Sequence, residues 1–389
     1  MNTIKCKITL AVLFLGIGFQ SFGQNNNIQK KTTTESKSTY LGDKPYTIKI
    51  YPQKFKSDKP KNIILMIGDG MGVAQVFTGI TANHGHLFLE NFKHIGFSKT
   101  QSFSNYITDS AAGATALSAG VKTYNYAIGV DKDTIPVITI LEKAEERGLA
   151  TGMVSTSSIT HATPASFIAH QKSRSMNEAI AADFLKTDID VFIGGGLTYF
   201  TEREDGRNIA DELKGKGYKV LENMADISKV KKGKLAGLTA PIENGRVSER
   251  GNLLPLATKT AINILKKDKD GFFLMVEGSQ IDWGGHNNHT SYIAEEMLDF
   301  DRTIGQVLEF AAKDGETLIV ITADHETGGL SILGGNMETG KVKGAYSTNG
   351  HTAVMVPIFA YGPGAENFMG FMENTDIHRK MKELLFDNQ

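Results

Sequence analysis

The sequence predicts an α/β protein with a largely parallel central sheet and helices on both faces. Three observations carry that expectation. Residues 62–67, 271–276 and 317–323 are almost wholly apolar runs, the habit of strands buried on both faces in parallel sheets. Each run stops abruptly at glycine or an acid. Segments near 136–147, 177–186, 257–267 and 291–313 read as helices and alternate with these strands, which is the pattern of a doubly covered sheet.

Length and composition fit that class. A chain of 389 residues, 40% hydrophobic and 22% charged, can bury a sizeable core in one large domain. A formal charge of −1 gives no electrostatic case for nucleic acid or an anionic membrane surface.

Residues 1–23 read as a signal peptide. Lys5 and Lys7 form the basic start, residues 8–19 the apolar middle, and Ser21-Phe22-Gly23 a small-x-small cleavage site. The apolar run is short for a membrane span, so the mature chain is expected to carry no membrane anchor and to be exported, periplasmic or secreted. The only cysteine, Cys6, leaves with the signal, so the mature protein cannot form disulfides. Its stability must then come from packing and from metals.

Residues 24–46, rich in Asn, Lys, Thr and Ser, read as a flexible lead-in. The first strand, 62–68, runs into Asp69-Gly70-Met71-Gly72, and 73–82 follows as a helix. Shorter runs at 150–155, 190–193 and 357–361 supply further strands. Residues 200–256 are charged and irregular and read as a surface elaboration. Residues 328–347, rich in Gly and Thr, read as a hairpin. With no internal repeat or linker, 47–389 is expected to be a single domain.

The stretch Ile107-Thr108-Asp109-Ser110-Ala111-Ala112-Gly113-Ala114-Thr115-Ala116 opens an alanine-rich helix. Thr108 or Asp109 can act as N-cap, which sets Ser110 in the first turn among unpaired N–H groups. That is a favourable place for an anion. A serine there still needs activation to become a nucleophile, and no Gly-x-Ser-x-Gly elbow surrounds it.

The three long strands each deliver an acid at the same sheet edge: Asp69, Glu277 and Asp324. Sites in open α/β sheets are built along that edge. Three carboxylates brought together repel one another unless cations compensate them, and mixed carboxylate and imidazole donors suit zinc or a similar ion. Asp282-Trp283-Gly284-Gly285-His286 follows Glu277, its glycines permitting a tight turn that aims both ends at one metal. His325 adjoins Asp324, and His351 follows a flexible Thr348-Asn349-Gly350 approach. Thr160-His161-Ala162-Thr163-Pro164 adds a hydroxyl and an imidazole before a helix, and Arg174 lies near that helix's far end. The other histidines lack such company. A helix N-terminus, metals and an arginine together favour an oxyanion with dispersed charge, which points to phosphoryl transfer.

Taken together, these segments resemble alkaline phosphatases over roughly residues 60–363. The motifs are Gly68-Asp69-Gly70-Met71-Gly72, Thr108-Asp109-Ser110-Ala111, His161-Ala162-Thr163-Pro164, Glu277-Gly278-Ser279-Gln280-Ile281-Asp282, Thr322-Ala323-Asp324-His325 and Gly350-His351-Thr352, all in family order. The resemblance implies a three-layer sandwich and hydrolysis of phosphate monoesters through a phosphoserine at Ser110. It implies two Zn2+ and one Mg2+ per chain. Asp282, His286 and His351 would hold one zinc, and Asp69, Asp324 and His325 the other. Asp69, Thr163 and Glu277 would hold magnesium, and Arg174 would grip phosphate. His161 and Trp283, beside these ligands, are similar to the residues of a compact bacterial branch. The insertions that enlarge the dimer interface in other members are short here, and a homodimer is possible. A sulfatase reading fails because Ser110-Ala111-Ala112-Gly113-Ala114 does not fit Cys/Ser-x-Pro-x-Arg. The magnesium set and Arg174 favour monoesters over diesters, and the full ligand set disfavours an inactive binding protein.

Overall fold

A computed structural model describes residues 37–386. The signal-peptide segment 1–23 lies outside the described residues. Ten strands form one sheet in the order Gly370–Glu373, His94–Lys99, Val356–Tyr361, Thr317–Thr322, Asn62–Gly68, Phe272–Gly278, Ala150–Ser158, Val191–Gly195, Leu235–Leu238 and Lys219–Leu221. Val356–Tyr361 runs antiparallel to both of its neighbours, and every other pair is parallel. The fold class read from the apolar runs is the fold observed.

The central strand shows why those runs contain no polar alternation. Ile64 and Met66 face one helical layer, while Ile63, Leu65 and Ile67 face the other, and all five are wholly buried. Period-2 side-chain direction places consecutive residues on opposite faces, so a strand covered twice must be apolar throughout. Helices Val73–Ala82, Leu253–Leu265 and Thr290–Asp314 contribute to the first layer's core. Helices Ser110–Ala119, Ile140–Glu146, Asn177–Asp183 and Asn374–Phe386 contribute to the second.

Two regions are more ordered than their composition suggests. Thr39–Tyr40, within the expected lead-in, pairs with strand Lys341–Tyr346, and the Tyr46 hydroxyl donates to Asp301 Oδ2 at 2.6 Å. Tyr40 and Tyr46 are the apolar anchors that a polar average over 24–46 conceals. Residues 200–256 supply strands Lys219–Leu221 and Leu235–Leu238 to the far edge of the sheet, where short strands suffice. The expected hairpin is present as Leu330–Asn336 paired with Lys341–Tyr346.

Leu65 sits in the middle of the central strand with no exposed surface. Leu65→Ala is expected to cost about 2–5 kcal/mol, the range for a buried leucine that leaves a cavity. Urea denaturation of the metal-replete protein measures it, and a loss below about 1 kcal/mol would show that the two layers close over the gap.

Candidate active site

Parallel strands all end at one edge, and the polar cluster forms there. Asp69 follows Asn62–Gly68 directly. Glu277 is the penultimate residue of Phe272–Gly278, and Asp324 lies two residues past Thr317–Thr322. Ile67 pairs with both Glu277 and Thr322, so the three strand ends are level.

Three sets of side chains bring potential ligand atoms within 4.8 Å of one another: Asp282 with His286 and His351, Asp69 with Asp324 and His325, and Asp69 with His161 and Glu277. Asp69 belongs to two of them. Both Asp69 oxygens, Asp324 Oδ2, Glu277 Oε1 and Thr163 Oγ1 are buried and lack any hydrogen-bond partner in the protein. Buried carboxylate oxygens are normally satisfied, so this donor set fits cations.

Asp282 and His286 are brought together by a helix and not by the tight turn expected from Gly284 and Gly285. Gln280–His286 is helical, which sets the two residues one turn apart, with His286 Nε2 at 3.3 Å from Asp282 Oδ2. The glycines serve close packing instead: a Cβ on Gly285 would lie 2.7 Å from the Thr327 carbonyl oxygen, and one on Gly284 2.8 Å from Ile293. His351 reaches the cluster because His351–Thr352 pairs antiparallel with Glu326–Thr327. Its ring stacks on that of His325 at 3.5 Å between centroids.

The outer bonds fix how these rings face. His286 Nδ1 lies 2.7 Å from the Asn349 carbonyl oxygen, and His351 Nδ1 lies 2.9 Å from that of Thr108. Carbonyls only accept, so each Nδ1 carries a proton. The two Nε2 atoms lie 3.2 Å apart beside Asp282; without a metal that of His286 donates to the Asp282 carboxylate, and a bound cation would take the place of its proton.

Ser110 is the first residue of helix Ser110–Ala119, and Asp109 is its N-cap. Asp109 Oδ1 accepts from the Ala112 N–H at 3.0 Å, while its Oδ2 accepts from the Tyr126 N–H and from Arg174 Nη1. The cap of the serine helix is therefore also the anchor of the arginine. Ser110 Oγ lies 3.2 Å from His325 Nε2, the atom that also faces Asp324 Oδ2 at 3.3 Å and Asp69 Oδ1 at 3.5 Å.

Helix Ala162–Ala165 is a single turn, and Arg174 comes from the loop beyond it. Arg174 Nη2 lies 3.1 Å from His161 Nε2. A guanidinium only donates, so His161 Nε2 accepts and the proton of the neutral ring sits on Nδ1. While that bond holds, neither ring nitrogen of His161 has a free lone pair. Trp283 meets His161 edge to face at 6.3 Å between ring centroids.

Protonation reflects crowding. Burial, with Asp324 next in weight, pushes the Asp69 carboxyl well above the usual range. Burial raises Glu277 to about 7 and, with Asp282 and Glu277 nearby, Asp324 to about 7. Burial works to raise Asp282 too, but the His286 hydrogen bond and the surrounding rings hold it below its ordinary value. The Asp282 hydrogen bond lifts His286 to about 9. Burial, reinforced by Arg174, depresses His161 to about 3, and burial with His351 depresses His325.

Some participants carry no motif. Thr327 Oγ1 donates to Asp282 and lies 3.1 Å from His325 Nδ1, tying two clusters together. Ser155 Oγ donates to Glu277 Oε2 at 2.6 Å. The only signal for Ser155 is an unusual run of small hydroxyl residues, 155–158, at a buried strand end. His170, outside the cluster, bridges Glu142 and the Gly129 carbonyl.

The alkaline phosphatase family's sequence model matches residues 60–345 and 335–386. Alkaline phosphatase 3 of Bacillus subtilis is 36% identical, the match covering 86% of this chain and 90% of that protein. The alkaline phosphatase of the Antarctic bacterium TAB5 is 44% identical with a TM-score of 0.80, covering 85% of this chain and 100% of that one. A TAB5 variant with aspartate in place of a histidine, described with Mg bound in the M3 site, is 43% identical with a TM-score of 0.80; the match covers 87% of this chain and 100% of that one.

The clustered acids predict a pH signature for the metal-free protein. Above about pH 7.5, a unit past the ordinary histidine value, His161 and His325 are neutral folded or unfolded and drop out. Between there and about pH 9 the folded protein keeps protons on His286, Asp69 and part of Glu277 and Asp324 that the unfolded chain has released. Stability must then fall as pH rises. Calorimetry in EDTA is expected to show the melting temperature dropping from about pH 7.5 to 9, and zinc with magnesium to flatten the drop. Equal slopes with and without metal would contradict it.

Proposed function

Because the chain belongs to the alkaline phosphatase family and hydrolyses phosphate monoesters, we propose that Ser110 is its nucleophile and Arg174 its phosphate grip. The observation that carries this reading is the 3.2 Å contact between Ser110 Oγ and His325 Nε2, which sets the hydroxyl among the donors of the Asp69, Asp324 and His325 cluster.

In this reading two zinc ions are held by Asp282, His286 and His351 and by Asp69, Asp324 and His325, and one magnesium by Asp69, Thr163 and Glu277. The orphaned buried oxygens of Asp69, Asp324, Glu277 and Thr163 support that assignment. Such ions, when bound, lower the pKa of a coordinated hydroxyl and stabilise attacking and leaving oxygens. The chain's own residues do the rest. Ser110 Oγ forms a bond to phosphorus as the ester's P–O bond breaks, the alcohol departs, and water then cleaves phosphoserine to inorganic phosphate. The N–H groups of the first turn face the phosphoryl oxygens with the positive end of the helix dipole. Arg174, fixed through Asp109, presents two N–H groups to a pair of non-bridging oxygens.

His161 and Trp283 support placing the chain in a compact bacterial branch. Export through residues 1–23 and assembly as a homodimer complete the reading. No helix among the described residues is long and apolar enough to cross a membrane.

Two substitutions test the assignment. Ser110→Ala is expected to lower turnover of p-nitrophenyl phosphate by about a thousandfold or more while keeping fold and metals, and to abolish a trapped phosphoenzyme. Near-normal turnover would move the nucleophile elsewhere. Trp283→Lys adds a positive charge near bound phosphate. An attraction of roughly 1 kcal/mol through an intervening water would lower KM and the phosphate inhibition constant about fivefold. Slower turnover is expected where product release is limiting. An equal or weaker grip on phosphate in fully loaded protein would leave Trp283 a packing residue.

A further inference from the structure

Tyr126 has no part in the chemistry above, yet its backbone is built into the site. Its N–H donates to Asp109 Oδ2 at 3.1 Å, and its carbonyl accepts from the Arg174 N–H at 2.7 Å. The residue adopts φ +75°, in the left-handed region that favours glycine or asparagine. The ring is not there for burial, since Tyr126 is 62% exposed. A large aromatic side chain kept in water on a strained backbone, one bond from both Asp109 and Arg174, calls for a function.

Its neighbours suggest which. Phe103, Tyr106 and Ile107, just before the serine helix, are also exposed, Tyr106 by 81%. The two loops are stitched together: the Phe103 N–H donates to the Thr123 carbonyl, the Asn125 N–H to Ser104 Oγ, and Asn125 Nδ2 to the Ile107 carbonyl. The result is a set of exposed apolar side chains on two joined loops, one of which is bonded to the Asp109–Arg174 pair through the Tyr126 backbone. The phosphate end of an ester is claimed by the polar cluster, so its alcohol portion must lie toward the mouth.

We propose that Tyr126, with Tyr106 and Phe103, forms a subsite for the alcohol portion of the substrate, favouring phosphate monoesters of aromatic or other flat apolar alcohols over small polar ones. The inference rests on the assignment of Ser110 and Arg174 to phosphate. An aromatic contact of this kind is made before and during the reaction alike, so it acts through KM.

The test compares kcat/KM for phenyl phosphate and glycerol phosphate on zinc- and magnesium-loaded enzyme. Tyr126→Asn, which suits the backbone and removes the ring, is expected to lower the phenyl-to-glycerol ratio about threefold to tenfold, mainly through KM for phenyl phosphate. Tyr126→Phe should keep the wild-type ratio. Tyr126→Gly, which relaxes the left-handed backbone, makes the same comparison if the asparagine variant does not fold. An unchanged ratio in the Asn or Gly variant overturns the proposal, as does an equal fall in the Phe variant. Parallel losses on both esters overturn it too: with a change in sedimentation the apolar set is a contact between copies, and without one Tyr126 is a backbone strut. Failure of the parent assignment looks different, because Ser110→Ala would then retain turnover of both esters whatever the Tyr126 variants do.

Discussion

The structure turns on mutual repulsion among carboxylates at the end of a sheet. Asp69, Glu277, Asp282 and Asp324 are all nearly or wholly buried within a few ångströms of shared ligand positions. Two unit charges 4 Å apart at an effective dielectric of 20 interact by about 4 kcal/mol. A few such pairs left unopposed would match the whole stability of a typical domain, about 5–15 kcal/mol. The fold supports the cluster only by supplying positive charge or holding protons there. The ring of His286 and the guanidinium of Arg174 are arranged around that requirement, and so is the donor set that suits divalent cations.

Much of this was legible in the chain. An apolar run with no polar alternation can only be a strand covered on both faces, and three such runs ending in acids fix where the acids go. Asp69, Glu277 and Asp324 could therefore be grouped before any coordinates, because parallel strands share an edge. Distances set by side-chain packing were not legible. Glycines at 284 and 285 look the same in sequence whether they make a turn or admit a neighbouring backbone; the contacts with Ile293 and Thr327 decide for the second. Thr327 itself escaped notice because a single threonine after a strand has many ordinary explanations. Tyr40 and Tyr46 escaped for another reason, since averaging over a polar segment hides two well-anchored rings.

The outer bonds matter as much as the donors. Backbone carbonyls of Thr108 and Asn349 set the tautomers of His351 and His286, and Asp109 joins the cap of one helix to the orientation of Arg174. Serine, arginine and both imidazoles thus share supports within residues 108–110 and 349–351. A disturbance of either short segment would reach several functional groups together, which explains why loops at this edge are so densely hydrogen-bonded.

The antiparallel strand Val356–Tyr361 has a consequence for the order in which the protein comes into being. Running against its neighbours, it begins at the edge where they end, so the chain immediately before it can deliver His351 to a cluster otherwise drawn from strand C-termini. The constellation consequently spans residues 69 to 351, and its last member arrives late in synthesis. A growing chain that has already paired Asn62–Gly68 with Phe272–Gly278 holds Asp69 and Glu277 side by side without that imidazole or the strand that follows it. Until His351 and the strand after it emerge, the half-built sheet edge is acidic and must stay protonated or hydrated.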